Sequence, residues 1–130
     1  MLVVDASVLF EVVADTPRAE SLRTYLATDE DQLAPHLIDA EVLAVIQTKH
    51  RLGRLDATAA HQAVSDLRTW PGERWPHKLL LDRAWDLRDN VLSYDAFYVA
   101  LAEAMGATLV TLDMRLTREP GLRCPVHVPG

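Results

Sequence analysis

Two runs of β-branched and aliphatic residues, one near each end of the chain, indicate buried strands. Residues 2–4 read Leu-Val-Val and lead into Asp5, and residues 108–112 read Thr-Leu-Val-Thr-Leu and lead into Asp113. β-Branched side chains fit the pleated surface of a sheet, and short continuous apolar runs are typical of strands buried on both faces. We expect one further short strand at 126–128.

Between these runs, apolar positions recur at the spacing of amphipathic helices. The segment that begins at Ser93 and stops at Gly106 is apolar nearly all round, so its helix is expected to be central and buried. Strands that alternate with helices predict an α/β domain with a mainly parallel sheet. Five other helices are predicted: from a cap at Ser7 to Val13, from Thr16-Pro17 to Leu26, from about 36 to 52, from a cap at Asp56 to Pro71-Gly72, and from about 78 to 88. The segment 73–77 is ambiguous and fits a short edge strand.

Both long strand runs end in an aspartate. In an open parallel sheet, ligands bind in the crevice beyond the carboxyl ends of the strands, so Asp5 and Asp113 are expected to face that crevice. Aspartate is also a favoured residue at the start of a helix, and for either residue alone helix capping is an equally good interpretation.

Two further carboxylates, Glu41 and Asp95, lie on apolar helix faces. Neither has a Lys or Arg three or four residues away that could pair with it along the helix. Asp95 also suits the first turn of a helix, where the helix dipole favours an acid. Glu41 has no such role, and a carboxylate on an apolar face is rare unless it is paired or binds a metal. The neighbours of Glu41 on its own face are Leu37, Ile38, Ala44 and Val45.

Four converging carboxylates would repel one another, and a divalent cation would relieve that repulsion. Ligation by oxygen alone favours Mg²⁺ or Mn²⁺ over zinc, and ions held in this way activate water and neutralise charge on a phosphoryl group. The hydroxyls of Ser7 and Thr111 each lie two residues from an acid and are candidates for holding a water or a phosphate; otherwise they are a helix cap and a strand residue. The histidines have no two-ligand spacing and are expected to be packing or surface residues: 36, 50, 61, 77 and 127.

Composition and charge narrow the class of protein. The chain has 130 residues, 49% of them hydrophobic and 25% charged, which suits one compact domain over 1–130. The single cysteine, the absence of a long apolar run and a start without a basic signal segment favour a cytoplasmic protein with no membrane attachment. The net charge of −6 argues against bulk electrostatic binding of nucleic acid, but taking the four acids away from −6 leaves only −2. Candidate phosphate-binding cations are Lys49, Arg51, Arg54 and Arg115, and a solvated helix end explains the first three equally well.

Four segments in order along the chain resemble the PIN-domain family, and in particular VapC-type toxins of bacterial toxin–antitoxin systems. They are Val-Val-Asp-Ala-Ser at 3–7, Ala-Glu-Val-Leu at 40–43, Tyr-Asp-Ala-Phe-Tyr-Val-Ala-Leu-Ala-Glu at 94–103 and Leu-Val-Thr-Leu-Asp-Met-Arg-Leu at 109–116. The resemblance implies a PIN-like three-layer domain whose central, mainly parallel sheet is flanked by helices. It further implies a homodimer that is inhibited by a small antitoxin, whose C-terminal segment covers the active site.

The activity implied by this resemblance is that of a Mg²⁺- or Mn²⁺-dependent endoribonuclease. The family's acidic residues correspond to Asp5, Glu41, Asp95 and Asp113, with Ser7 and Thr111 at the supporting hydroxyl positions. The metal ligands would be Asp5, Asp95 and Asp113, and Glu41 would be a ligand or would orient a water. Asn90 is a looser match to an asparagine that the family carries before its third acid.

Two other interpretations compete with this one. A receiver domain of a signalling system is also acidic, α/β and Mg²⁺-binding, but it requires adjacent acids after the first strand and a lysine after the last one, and this chain has neither. A non-catalytic binding protein would use the same acids only for structure or partner recognition. The apolar surroundings of Glu41 disfavour that interpretation, and a stability measurement with added Mn²⁺ would test it.

Overall fold

Five short parallel strands form one sheet flanked by six helices. The computed structural model describes the backbone of residues 1–130 and every side chain except that of Ser93. The strands are β1 (Leu2–Val4), β2 (Gln32–Pro35), β3 (Glu73–Trp75), β4 (Thr108–Val110) and β5 (Val126–His127). The helices are α1 (Ala6–Val13), α2 (Ala19–Leu26), α3 (Leu37–Arg51), α4 (Ala57–Thr69), α5 (Leu81–Asp86) and α6 (Ser93–Met105). The predicted α/β class is therefore confirmed.

The sheet order β3-β2-β1-β4-β5 places the first strand at the centre. β1 pairs in parallel with β2 and with β4, and Val4 lies opposite Val110 in the register with β4. Both valines are fully buried, and α6 packs against β1, β2 and β4. This register brings the next residues, Asp5 and Thr111, side by side at the carboxyl edge of the sheet, where the Asp5 backbone N–H donates to the Val110 carbonyl at 2.9 Å.

The strand β2 was not predicted from the sequence. Its residues, Gln-Leu-Ala-Pro, contain no β-branched or aromatic side chain and end in a proline, so local preference gives no strand signal. Pairing on both sides, with β1 and with β3, makes this segment a strand. β3 itself is the edge strand that the ambiguous segment 73–77 suggested.

Several predicted helix starts are wrong by a few residues. Ser7 does not cap α1, because Asp5 occupies the cap position and Ser7 lies inside the helix. The Ser7 hydroxyl donates to the Asp5 carboxylate instead of capping the helix. Pro17 does not begin α2, since the Ala19 N–H donates to the Thr16 carbonyl in a turn that precedes the helix. The segment predicted as one helix from 78 to 88 divides into a 3-10 turn at 78–80 followed by α5.

The two helices that carry Glu41 and Asp95 agree with their predicted extents. α3 is followed by Gly53 and α6 by Gly106, both with positive φ, as the glycine stop signals indicate. The first backbone N–H of α3, at Leu37, donates to Nε2 of His77 at 2.9 Å. That contact joins residues 40 positions apart, and it fixes the start of the helix that carries Glu41. Among the described helices, none is both long and apolar enough to cross a bilayer.

Candidate active site

The four acids predicted from the sequence line one cleft at the carboxyl edge of the sheet. The cleft has a volume of about 640 Å³. Asp5 comes from the end of β1, Glu41 from α3, Asp95 from the first turn of α6, and Asp113 from the loop after β4. Four separate segments of the chain therefore bring their carboxylates to one place, as ligand sites at the ends of parallel strands do.

The predicted supporting residues divide into those in the cleft and those outside it. Ser7, Lys49 and Arg115 line the cleft. Thr111 is fully buried directly behind Asp5. Arg51, the last residue of α3, and Arg54, three residues later, are exposed and do not line the cleft.

Asp5 is a buried carboxylate held by two hydroxyls. Only 8% of the residue is exposed, and its Oδ2 accepts hydrogen bonds from Ser7 Oγ at 2.7 Å and from Thr111 Oγ1 at 2.8 Å. Each hydroxyl in turn accepts a backbone N–H, Ser7 from Leu112 at 3.1 Å and Thr111 from Asp113 at 3.1 Å. Burial raises the pKa of Asp5, and these hydrogen bonds act against the rise. Asp5 stands at the cap position of α1, but its carboxylate makes no capping hydrogen bond. The side chain lines the cleft instead.

Glu41 is a half-buried carboxylate fixed by a tyrosine. The hydroxyl of Tyr98, a buried residue of α6, donates to Glu41 Oε1 at 2.7 Å. Burial raises the pKa of Glu41, the Tyr98 hydrogen bond opposes this, and repulsion from Asp5 and Asp95 raises the pKa further. We predicted that Glu41 lies on the apolar stripe of α3. The core-facing stripe is Ile38, Val42 and Ile46, and Glu41 lies beside it. It shares the cleft-lining face with Ala44, Val45 and Lys49.

Asp95 is a half-buried acid whose pKa is raised. Its pKa is raised to about 6, mainly by burial and further by repulsion from Asp5 and Asp113, while Arg115 acts in the opposite direction. The residue lies in the first turn of α6, so the helix dipole also acts on it. A carboxyl with a pKa near 6 can change its protonation state near neutral pH, which is a property of groups that exchange protons or bind cations.

Asp113 differs from the other three acids because it has an arginine partner. Its Oδ1 accepts from Arg115 Nε at 3.0 Å and its Oδ2 accepts from Arg115 Nη2 at 2.8 Å. This ion pair lowers the pKa of Asp113. Asp113 also caps the 3-10 turn Met114–Thr117 by accepting the Arg115 backbone N–H at 3.0 Å. The capping interpretation is thus correct for Asp113 in addition to its position in the cleft.

The donor set of the cleft fits a hard divalent cation. Asp5, Glu41 and Asp95 form no ion pair with a basic side chain in the part of the chain that the structure describes. Their carboxylates are partly desolvated and repel one another, a situation that a dication relieves. Among the described side chains, no three acidic, histidine or cysteine residues already stand as ligands of one ion. Ligation by three of these residues therefore requires side chains of the cleft to adjust.

The sequence interpretation missed several residues of this site. Tyr98 resembled a core residue of an apolar helix, and nothing local indicated that its hydroxyl reaches Glu41. Glu11 and Phe10 also line the cleft, and the spacing of Glu11 four residues after Ser7 in α1 was a usable signal. The described histidines lie outside this cleft, as expected, and Trp70 and Trp75 pack against the core.

The chain has relatives along its full length. It matches the PIN-domain family over residues 2–121. It is 35% identical over 128 residues to ribonuclease VapC9 of Mycobacterium tuberculosis, with 98% of each chain covered. It is 39% identical over 118 residues to ribonuclease VapC3 of the same organism, with 90% of this chain and 85% of that one covered.

Solved structures share the fold. The structure of FitAcB from Neisseria gonorrhoeae superposes with a TM-score of 0.75 at 16% identity, covering 99% of this chain and 98% of the other. A toxin–antitoxin complex from Klebsiella pneumoniae gives 0.69 at 16% identity, covering 100% and 98%. The receiver-domain interpretation is thereby set aside. With four acids in one cleft of a parallel sheet and full-length similarity to VapC ribonucleases, the chain belongs to the PIN-domain family and to its VapC group.

Proposed function

We propose that the chain is a metal-dependent endoribonuclease, the toxin of a type II toxin–antitoxin module, that hydrolyses phosphodiester bonds of RNA. The observation that carries the proposal is the convergence of Asp5, Glu41, Asp95 and Asp113 in one cleft of a chain 35% identical to a VapC ribonuclease. A cluster of desolvated carboxylates has little structural use, since each one costs stability when charged.

In this proposal Asp5, Asp95 and Asp113 hold Mg²⁺ or Mn²⁺, and Glu41 is either a fourth ligand or the group that orients the attacking water. The bound ion supplies activation of the water and neutralises charge that develops on the phosphate. Ser7 and Thr111 keep the Asp5 carboxylate in one orientation by donating to the same oxygen. Glu41, whose pKa is raised mainly by burial, is suited to accept a proton from the water.

The substrate phosphates need cations, and two of the predicted ones line the cleft. Lys49 lies on the same face of α3 as Glu41. Arg115 lies next to Asp113 in the turn that follows β4. We assign these two to the phosphates next to the scissile bond. Arg51 and Arg54, exposed at and just after the end of α3, would reach RNA only outside the cleft.

The partners are an antitoxin protein, the RNA substrate and a second copy of the chain. Support for an antitoxin comes from the fold shared with a toxin–antitoxin complex from Klebsiella pneumoniae. An antitoxin segment that covers the cleft would block access to all four acids at once. We assign the protein to the cytoplasm, where its RNA substrate would be found.

Incubation with total cellular RNA tests the proposal directly. We expect cleavage in the presence of Mg²⁺ or Mn²⁺, no cleavage in EDTA, and recovery when excess metal is added back, because the carboxylates then regain their ion. Mapping the new ends identifies the target. If RNA stays intact with every divalent metal and Mn²⁺ leaves the melting temperature unchanged, the acids serve a non-catalytic protein instead.

The Tyr98→Phe variant tests whether Glu41 acts as a positioned group. It removes only the hydroxyl that donates to Glu41 Oε1, so we expect kcat to fall about tenfold, the value of about 1.5 kcal/mol for one hydrogen bond to a charged group, with little change in KM. Tyr94→Phe, which changes an exposed residue at the rim of the same cleft, is the matched control. Equal rates for Tyr98→Phe and the wild type would show that Glu41 needs no support from Tyr98.

A further inference from the structure

Arg115 is a largely exposed arginine whose guanidinium occupies both oxygens of one acid in the cleft. Its side chain is 75% exposed, whereas that of Asp113 is 24% exposed. The Nε and Nη2 atoms donate in parallel to Oδ1 and Oδ2, at 3.0 and 2.8 Å. This two-point geometry is the strongest arrangement that an arginine makes with a carboxylate. Both carboxylate oxygens of Asp113 are therefore engaged by the arginine.

The remaining acids show what the ion pair replaces. Asp5, Glu41 and Asp95 have no ion pair in the described part of the chain, and Asp95 is repelled by both Asp5 and Asp113. Arg115 attracts Asp95 as well as Asp113, so its positive charge offsets part of the repulsion between these two acids. A guanidinium in this position does part of the electrostatic work that a dication would do.

We propose that Arg115 is an internal counter-ion that competes with the divalent metal for Asp113 and, once displaced, binds a phosphate of the RNA. The second half of this inference rests on the proposed ribonuclease function, whereas the first half concerns only the metal and this chain.

Local geometry makes such an exchange feasible. Arg115 lies two residues after Asp113 in a 3-10 turn, and its long side chain projects into solvent, so the guanidinium can move without a change in the backbone. The same planar fork that matches a carboxylate also matches a phosphate. Metal binding and RNA binding are then coupled: the ion frees the arginine that the RNA uses, and by reciprocity bound RNA strengthens metal binding.

Direct measurement of Mn²⁺ affinity by calorimetry, without RNA, tests the first half. Because Arg115→Gln removes the competitor, we expect its Kd for Mn²⁺ to fall about three- to fivefold, as suits a largely exposed ion pair. Lys49→Gln is the matched control, since it removes the same charge from α3, another element that lines the cleft, and Lys49 touches none of the four acids among the described contacts. Its Kd should change less than twofold, the small effect expected of a screened charge without contact.

Arg115→Lys separates the fork from the charge. It keeps the positive charge but cannot donate in parallel to both oxygens, so we expect an affinity between those of the wild type and Arg115→Gln. Equal gains for Arg115→Gln and Lys49→Gln would reduce the effect to general electrostatics and overturn the proposal. So would an unchanged or weaker affinity in Arg115→Gln.

A second measurement follows the guanidinium itself. In the metal-free protein, the Arg115 Nε–H should give a protected NMR signal because it donates to Asp113, and titration with diamagnetic Mg²⁺ should remove that protection. A signal that stays protected at saturating Mg²⁺ contradicts the exchange. If all variants bound Mn²⁺ as expected but the protein cut no RNA, the proposed counter-ion role of Arg115 would stand and the proposed ribonuclease function would fail. The two failures are therefore distinguishable.

Discussion

The Asp5→Asn variant is expected to lose RNA cleavage by about a hundredfold or more while it stays folded. The asparagine oxygen can still accept the Ser7 and Thr111 hydroxyls that hold Asp5 in place. The amide group, however, provides no negative charge for a metal ion. Because burial already raises the pKa of Asp5, replacing its charged form with a neutral isostere removes a desolvation cost.

Cleavage rates with Mn²⁺, together with thermal melts in EDTA, check this expectation. The melting temperature of Asp5→Asn in EDTA should equal or exceed that of the wild type, which separates lost chemistry from lost folding. Asp82→Asn, an exposed acid in the first turn of α5, serves as the control and should keep full activity. Cleavage at the wild-type rate in Asp5→Asn would rule out the assignment of Asp5 as a metal ligand.

The acids of the candidate site could be proposed from the sequence because of where they lie relative to apolar runs. Asp5 and Asp113 follow apolar strand runs, and Glu41 has aliphatic neighbours at helical spacing without a basic residue three or four positions away, so these acids were visible as candidates in the sequence. The glycine stop signals and the uniformly apolar α6 were equally local, and these elements agree with the structure. The resemblance to PIN domains then matched these four acids, in their order along the chain, to the acidic residues of that family.

The rest depends on contacts between distant parts of the chain. β2 becomes a strand only because β1 and β3 pair with it, and its own sequence carries no such preference. The hydroxyl of Thr111 meets Asp5 across 106 positions, and that of Tyr98 meets Glu41 across 57. No periodicity reports such pairs. Ser7 was assigned as a helix cap for the same reason, since its real partners, Asp5 and the Leu112 N–H, come together only in the folded sheet.

The metal-free protein is expected to lose stability as the pH rises from about 4 to 7, because the acids of the cleft then become charged. The folded-state pKa of Asp95 is raised from 3.8 to about 6 by burial and by repulsion from Asp5 and Asp113, and that of Glu41 is raised mainly by burial. Between the unfolded and folded values the folded state binds more protons, so the free energy of unfolding falls as pH increases. Below the unfolded value both states are protonated, and the contribution becomes constant.

Asp95→Asn removes one of these titrations. At pH 7 in EDTA we expect it to be more stable than the wild type by about 1 kcal/mol, which is below the value of the full pKa shift because the carboxyl is only half-buried and partly screened by water. For a domain of this size that difference corresponds to a rise in Tm of about 3–4 °C. At pH 4 the difference should nearly vanish, since the wild-type carboxyl is then protonated in the folded state.

Saturating Mn²⁺ should reverse this order at pH 7, because the ion stabilises the wild type by binding only its folded state, whereas the variant has lost a ligand. Thermal melts of both proteins at several pH values, with EDTA and with Mn²⁺, measure the reversal, and Asp82→Asn should follow the wild type throughout. If Asp95→Asn melted below the wild type in EDTA at pH 7, the carboxylate would be stabilising the fold by itself. The reversal would instead mean that the carboxylates of the cleft destabilise the metal-free protein and that the bound metal compensates for this cost at the site of cleavage.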